Sequence, residues 1–216
     1  MNSRYLLIGL FMFLFDGAYG QACLHTDLSK KFDYKISKTS KKDDDGIIRV
    51  HKVTIEIYSK ADRKLFQKIE YIPDGIFDST FSECENARSF ITGKHKKTEV
   101  SDDDYGDIVV ADLNFDGKED LAVKNNIPAD VGPEYLYFIQ GKRGFIKDEY
   151  LSEKMSYFPW LIKPKKHELI ALAHPFPGTH IYQFQYNTVT KKWRKVSDRH
   201  IYHDIGLEKV LSRLEK

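Results

Sequence analysis

The stretch Ile108–Val123 constrains the fold more than any other part of this chain. It begins and ends with short apolar runs, Ile108–Ala111 and Leu121–Val123, and a polar loop lies between them. Runs of this length and composition are typical of buried β-strands. The stretch therefore predicts a strand–loop–strand unit and argues against a helix–loop–helix arrangement at this point.

The polar loop carries oxygen ligands at the spacing that suits a hard cation. The candidate ligands are the side chains of Asp112, Asn114, Asp116 and Asp120 and the main-chain carbonyl of Lys118. Gly117 stands at the sharp turn that such a loop needs. A helix–loop–helix site would require a bidentate Glu where this chain has Val123. The sequence therefore predicts a strand–loop–strand Ca²⁺ site, and the alternative is a polar hairpin tip that needs no metal.

The pattern Asp-x-Asn-x-Asp-Gly-x-x-Asp-Leu between strands resembles the calcium loop of FG-GAP/VCBS repeats, which build integrin-type β-propellers. The resemblance implies calcium ligation by the five residues named above. A breaker-rich loop and an aromatic hairpin, 134–140 with 144–149, follow in the order that these repeats show. A propeller needs several copies of the motif, and we find one, so we expect a small β domain with a single calcium site.

Most other segments of the chain alternate apolar and polar residues, as half-buried strands do. Segments 47–58 and 64–72 predict one antiparallel pair, and 168–174 and 180–186 predict further strands. We therefore expect a mainly β protein with antiparallel sheets, arranged as a sandwich or a partial propeller. Segment 151–164 contains prolines and predicts irregular structure, while Leu207–Leu214 has the apolar spacing of a short C-terminal helix.

Residues 1–20 have the features of a secretory signal: an apolar run too short to span a bilayer, then small residues before Gln21. We therefore expect one domain over 21–216, located in the periplasm or secreted. In an oxidising compartment Cys23 and Cys84 are expected to form a disulfide. A lipid anchor at Cys23 is the alternative, because the sequence before it partly resembles a bacterial lipoprotein signal.

The charged residues make up 31% of the chain, both signs are interspersed along the sequence, and the formal net charge is +2. This pattern favours a solvated surface over a nucleic-acid interface. No segment after the signal is apolar enough to predict a membrane span.

The chain lacks the common catalytic motifs, including the nucleophile elbow, the phosphate-binding loop and zinc signatures. Its best histidine cluster is His200, His203 and Asp204, which we interpret as a polar surface stretch. The sequence therefore favours a binding protein over an enzyme.

The segment His174–Tyr182 is the best candidate for a binding loop, because two prolines restrict its backbone and it joins two predicted strands. The chain as a whole resembles periplasmic lysozyme inhibitors and related immunity proteins. That resemblance implies a rigid loop that enters the cleft of a peptidoglycan hydrolase, of the muramidase or amidase type, on a calcium-stiffened scaffold. The expected partner-binding residues are Phe176, Gly178, Thr179, His180 and Tyr182. The alternative function is an FG-GAP-like adhesion or carbohydrate-recognition module.

Overall fold

A computed structural model describes residues 22–128, 131–175, 177–202 and 207–215. The predicted signal segment, Phe176, His203 and Asp204 lie outside the described residues. The protein is mainly β, with 49% of its residues in strands and 11% in helices. The predicted fold class is thereby confirmed at the level of antiparallel sheets followed by a short C-terminal helix.

The first sheet is an antiparallel meander of four strands in sequence order. Its strands are β1 (Ala22–His25), β2 (Phe32–Lys42), β3 (Ile48–Ser59) and β4 (Leu65–Tyr71). The alternation predicted for 47–58 puts Val53, Ile55 and Ile57 on the buried face of β3.

The second sheet has five strands and carries the predicted calcium loop. Its strands are β5 (Ala87–Ser89), β6 (Ile108–Ala111), β7 (Asp120–Asn126), β8 (Glu134–Gln140) and β9 (Phe145–Lys147). β5 runs parallel to β6, and the other neighbours are antiparallel. All four residues of β6 are buried, which explains why this strand has no polar positions in its sequence.

The third sheet is again a four-stranded antiparallel meander. Its strands are β10 (Pro159–Lys163), β11 (Glu168–Ala173), β12 (Gly178–Asn187) and β13 (Lys192–Tyr202). Helix α1 (Leu207–Leu214) follows it. The expectation of irregular structure over 151–164 was wrong in part, because this segment holds a π-helical turn, Leu151–Met155, and then β10. Pro159 is tolerated there because it is the first residue of an edge strand.

The three sheets are packed in series over two hydrophobic cores. The first core joins the first and second sheets, through residues such as Tyr34, Ile55 and Val110. The second core joins the second and third sheets, through residues such as Val109, Tyr137 and Phe184. The apolar side of α1 packs on the outer face of the third sheet. Within the described ranges, no helix has the length and apolarity needed to cross a membrane.

Candidate functional site

The predicted calcium loop, residues 112–120 and called the calcium loop below, connects β6 to β7 and folds its own polar side chains inward. The Asp112 carboxylate accepts hydrogen bonds from the backbone N–H of Asp116, at 3.1 Å, and of Gly117, at 3.0 Å. The Asn114 side-chain oxygen accepts a bond from the same Asp116 N–H at 3.1 Å. The oxygens of Asp112 and Asn114 are therefore brought to one point inside the loop. Gly117 has a φ of 78°, which a glycine adopts without strain.

Asp120 fastens the calcium loop to the second sheet. Its Oδ2 accepts hydrogen bonds from the backbone N–H of Leu113 (2.9 Å) and Asn114 (3.2 Å), and its Oδ1 accepts one from Gln140 (2.8 Å). The side chain is fully buried, and this burial raises the pKa of the Asp120 carboxyl to about 7, against the effect of the three N–H donors. Asp120 therefore closes the loop through these three main-chain hydrogen bonds.

The donor chemistry of the loop fits a hard cation. A carboxylate has about four acceptor positions, so Asp112 and Asp120 retain acceptor capacity beyond the N–H groups that they bind. The Lys118 ammonium lies 2.9 Å from Asp116 Oδ2 and is the cation nearest to that carboxylate. Calcium would be held by Asp112, Asn114, Asp116, Asp120 and the Lys118 carbonyl, and Lys118 Nζ would have to release Asp116.

Two features of this region differ from a preformed cage of carboxylates. Across the part of the chain that the structure describes, no group of three His, Cys, Asp or Glu side chains converges as a metal site. The neutral donors Asn114 and the Lys118 carbonyl are therefore needed to complete any coordination. The neighbouring acidic run Asp102–Asp104 cannot add ligands, because it lies at the opposite end of the sheet, where Asp104 binds Lys124 and Asp103 binds His174.

Phe115 anchors the calcium loop to the third sheet, and sequence reasoning missed this role. Its φ is 62°, an uncommon value for a non-glycine residue. Its ring lies 5.5 Å from that of His167 and 6.1 Å from that of Trp193. The sequence could have indicated this role, because a large aromatic side chain in the middle of an acidic loop predicts that part of the loop is packed against another element.

The predicted partner-binding residues do not form a protruding loop. Gly178 and Thr179 are the first residues of β12, paired with β13, and both are buried, with Thr179 only 1% exposed. A residue that contacts a partner through its side chain has to be exposed, so the burial of Thr179 is at odds with the partner-binding role expected for it. His180 and Tyr182 are partly exposed, and Phe176 lies outside the described residues.

His180 and Tyr182 belong to a ladder of rings that crosses β12 and β13. His180 lies directly opposite His200, and their ring centroids are 4.5 Å apart. Tyr182 stacks on His180 at 5.6 Å, and Tyr202 lies 4.5 Å from His200. Tyr202 is 64% exposed, so the ladder ends in an accessible aromatic ring.

His174 connects the β11–β12 turn to the second sheet. Its Nε2 lies 2.9 Å from Asp103 Oδ2, and its Nδ1 lies 2.9 Å from the hydroxyl of Thr179. The hydrogen bond to Asp103 raises the pKa of the His174 imidazole above its usual value, although burial acts in the opposite direction. The contacts of His174 with Asp103 and Thr179 orient the segment His174–Tyr182, which is the predicted binding segment.

We expect the imidazole resonances of His174 to titrate above pH 6.5 in an NMR experiment, and the Asp103→Asn variant to return the pKa towards that value. A raised histidine pKa stabilises the fold below pH 6.5, and the contribution is lost as the pH rises through the folded value. His180, whose Asp198 partner is unaltered, serves as the internal control. An unchanged His174 titration in Asp103→Asn would contradict the assignment.

The fold partly separates charges of opposite sign that are interspersed along the sequence. Asp103 and His174 place one end of the second and third sheets together, and Asp74 N–H bonds to the Asn125 carbonyl at the same end of the first and second sheets. The segments 43–47, 72–80 and 99–107 there include no Lys or Arg of their own. Three cations on the adjoining strands pair with carboxylates of these segments: Arg49 with Asp43, Lys38 with Asp78, and Lys124 with Asp104 and Asp107. We call this the acidic end; its carboxylates are Asp43, Asp44, Asp45, Asp74, Asp78, Glu99, Asp102, Asp103, Asp104 and Asp107.

The opposite end carries the calcium loop and is rich in cations. Several connecting segments lie at this end: the turns 26–31, 60–64, 141–144, 164–167 and 188–191 and the loop 90–98. We call it the basic end; its lysines and arginines are Lys30, Lys31, Lys60, Arg63, Lys64, Lys94, Lys96, Lys97, Lys118, Lys142, Arg143, Lys165, Lys166 and Lys191. No single stretch of the chain predicts this separation, because it arises only when successive loops lie at opposite ends of the sheets.

A concavity of about 740 Å³ opens at the acidic end. Its wall includes Glu99, Asp102, Asp103, Asp104 and His174, together with the proline-containing loop that follows β7. The segment predicted to bind a partner therefore begins at the rim of a negatively charged depression.

Cys23 and Cys84, the predicted disulfide pair, are neighbours. The structure holds them as thiols whose side chains are hydrogen-bonded to each other. Burial raises the pKa of the Cys23 thiol to about 11, with further contributions from Cys84 and Glu83. A disulfide between β1 and the segment before β5 stays a prediction, and the proximity of the two side chains is what such a bond requires.

Comparison with protein-family models, with characterised proteins and with solved structures gave no match for this chain.

Proposed function

We propose that this protein is a secreted or periplasmic, calcium-stabilised binding protein that inhibits a peptidoglycan hydrolase of the muramidase or amidase type. The observation that carries the proposal is the acidic concavity beside His174. Peptidoglycan carries many carboxylates, so an enzyme that binds it is expected to have a cationic cleft. An acidic surface complements such a cleft, directs the encounter and competes with the substrate.

The scaffold supports a rigid mode of binding. The β11–β12 turn contains prolines and is fastened by His174 to both Asp103 and Thr179. A segment held in this way loses little conformational entropy when it docks. We interpret the three sheets in series as a partial propeller, in keeping with the FG-GAP-like loop. The calcium loop lies at the other end, so calcium would stiffen the scaffold without contacting the hydrolase.

The proposal is tested by lysis of a cell-wall suspension, followed by turbidity, with cationic muramidases and amidases as targets. We expect the wild-type protein to inhibit at least one of them, and the double variant Glu99→Gln/Asp102→Asn to inhibit it about tenfold more weakly. Removing rim charges slows association more than it changes the packed contacts. Asparagine suits position 102 because the backbone there has a φ of 51°.

Asp62→Asn/Glu208→Gln is the matched control, because it removes the same charge from exposed positions outside the acidic end. Full inhibition by the control and weak inhibition by the test variant would support the proposal. Equal inhibition by both variants, or undiminished lysis with every hydrolase, would refute it.

Carbohydrate recognition is a second candidate, because the ladder from Tyr182 to Tyr202 presents stacked rings to solvent. Sugar faces stack on such rings. A glycan array separates the two candidates: glycan binding that is lost in Tyr202→Ala, without binding to any hydrolase, would favour the carbohydrate module.

A further inference from the structure

Lys124 and Asp107 hold an amine and a carboxyl group in contact inside the protein. Lys124 is 0% exposed and Asp107 is 1% exposed. The Lys124 backbone N–H donates to the Asp107 carbonyl at 2.9 Å, and Lys124 Nζ lies 2.6 Å from Asp107 Oδ1. Reactants that are held in a productive geometry reach effective concentrations of about 10⁵–10⁸ M. The two side chains are therefore placed as the reactants of an amide bond.

The two oxygens of the Asp107 carboxyl have different partners. The Ser82 backbone N–H donates to Oδ2 at 2.6 Å. Among the described residues, the Lys124 ammonium is the only polar group that contacts Oδ1. A fixed N–H at Oδ2 stabilises the negative charge that develops there when an amine adds to Cγ. Oδ2 is therefore the oxygen that the carboxyl group retains, and Oδ1 is the one that leaves.

Burial also favours the form of Asp107 that an amine attacks. It raises the pKa of the carboxyl to about 6, although Lys124 acts in the opposite direction. The neutral carboxyl group is therefore easier to reach here than in an exposed aspartate.

Asp104 provides a second carboxylate at the same ammonium. Its Oδ2 lies 2.7 Å from Lys124 Nζ, and its side chain is 35% exposed. A carboxylate in this position can carry a proton from the nitrogen to the departing oxygen. Asp104 also lines the acidic concavity, which gives a released water molecule a path to solvent.

We propose that Lys124 and Asp107 condense to form an isopeptide bond, with Asp104 as the catalytic residue. One ammonium proton passes to Asp107 Oδ1 across their contact, and the electron pair of Nζ then forms a bond to Cγ. Asp104 accepts a second proton from the nitrogen and returns it to Oδ1. The Cγ–Oδ1 bond breaks and one water molecule leaves. Asp104 is regenerated, so the reaction needs no oxidant and no further reactant.

The isopeptide bond closes the hairpin that carries the calcium loop, because it joins the residue before β6 to Lys124 in β7. The inference is independent of the proposed function, since the two joined residues are buried and the reaction requires no partner. The ion pair is the reactant of this step. Chains that have not condensed therefore retain the ion pair, and their mass identifies them.

Intact mass spectrometry of the reduced full chain tests the proposal. We expect the wild type to weigh one water molecule less than its sequence requires, whereas Lys124→Arg should have its full mass. The arginine side chain stays protonated and is not a nucleophile. The two proteins share the same N-terminal processing, so the comparison cancels it. Reduction removes the contribution of a disulfide.

Digestion with trypsin locates the bond. The peptide Thr98–Lys118 should remain joined to Glu119–Lys142, because trypsin does not cleave after an acylated lysine. A chain that has not condensed releases Glu119–Lys124 instead. This peptide map of the wild type decides the question even if Lys124→Arg does not fold.

Asp104→Asn should slow the condensation by about 10²-fold or more, which is the usual contribution of acid–base catalysis. The rate is measured from the fraction of condensed chains at successive times after expression is induced. Asp104→Glu restores a carboxylate and should recover part of the rate. Glu85→Gln is the matched control, because Glu85 is an exposed carboxylate near Ser82, and it should condense at the wild-type rate.

Melting curves establish that each variant is folded. The proposal is overturned if the wild type keeps its full mass and releases Glu119–Lys124, or if Lys124→Arg also loses water. Condensation of folded Asp104→Asn at the wild-type rate would overturn the catalytic role of Asp104.

Discussion

Replacing Lys124 with methionine is expected to lower the free energy of unfolding by about 3–5 kcal/mol at pH 8. Lys124 is 0% exposed, and its ammonium lies 2.6 Å from Asp107 Oδ1 and 2.7 Å from Asp104 Oδ2. Asp107 Oδ1 has no other polar partner. Removing the ammonium therefore leaves a buried carboxylate without a counter-charge. Urea denaturation measures the loss directly.

The loss in Lys124→Met should depend on pH in a defined direction. Burial raises the pKa of Asp107 to about 6 even though Lys124 lowers it, so the variant should have a still higher value. An acid whose folded pKa is raised binds its proton more tightly in the native state. Its contribution to stability is therefore greatest at low pH and is lost as the pH rises through the folded pKa. Part of the loss seen at pH 8 should be recovered at pH 5.

Lys68→Met is the matched control, because Lys68 is exposed and pairs with Glu70 at the surface. Exposed pairs contribute about 0–1 kcal/mol, so this variant should be nearly as stable as the wild type. If Lys124→Met lost no more stability than Lys68→Met, the buried ion pair between Lys124 and Asp107 would not stabilise the acidic end of the second sheet.

Asp116→Ala is expected to abolish most of the thermal stabilisation that calcium provides. For a site with a Kd near 10⁻⁴ M, 10 mM calcium is about 100 times Kd and stabilises the native state by about 2.7 kcal/mol. For a domain of this size each kcal/mol corresponds to about 2–4 °C, so the wild-type melting temperature should rise by roughly 5–10 °C. The variant loses one of the proposed carboxylate ligands and the partner of Lys118.

Differential scanning calorimetry in calcium and in chelator measures both proteins. Asp45→Ala, an exposed aspartate in the β2–β3 turn, is the control and should keep the full calcium shift. An equal shift in Asp116→Ala and Asp45→Ala would place calcium elsewhere, and no shift in the wild type would favour the metal-free interpretation of the loop.

The strands and the loop between them were predictable where the local pattern is strong. Ile108–Ala111 and Leu121–Val123 are apolar throughout because both faces of the second sheet are buried, and the structure places β6 and β7 there. The helix over Leu207–Leu214 was predicted from its apolar spacing and is confirmed with the same bounds. In both cases one physical requirement, burial, determines the residues within a short window.

Features that depend on distant parts of the chain were not predictable. β10 begins with a proline, so its local sequence favours irregular structure. Its strand conformation depends on pairing with β11. Thr179 is polar but buried, because His174 satisfies its hydroxyl. The acidic and basic ends arise from the way the sheets sort the loops, and no sequence window contains that information. The calcium ligation expected of the loop 112–120 stays a prediction. The role of Phe115 depends on contacts with His167, in the β10–β11 turn, and Trp193, in β13, which are distant in the sequence.

The central claim is that the acidic end binds a cationic peptidoglycan hydrolase. Sedimentation velocity of the purified protein mixed with the hydrolases that it is tested against, in millimolar calcium, examines this claim most directly. The account predicts a 1:1 complex with at least one enzyme, which dissociates as salt is raised and is weakened in Glu99→Gln/Asp102→Asn. Separate boundaries for the protein and for every hydrolase at micromolar concentration and low salt would contradict it.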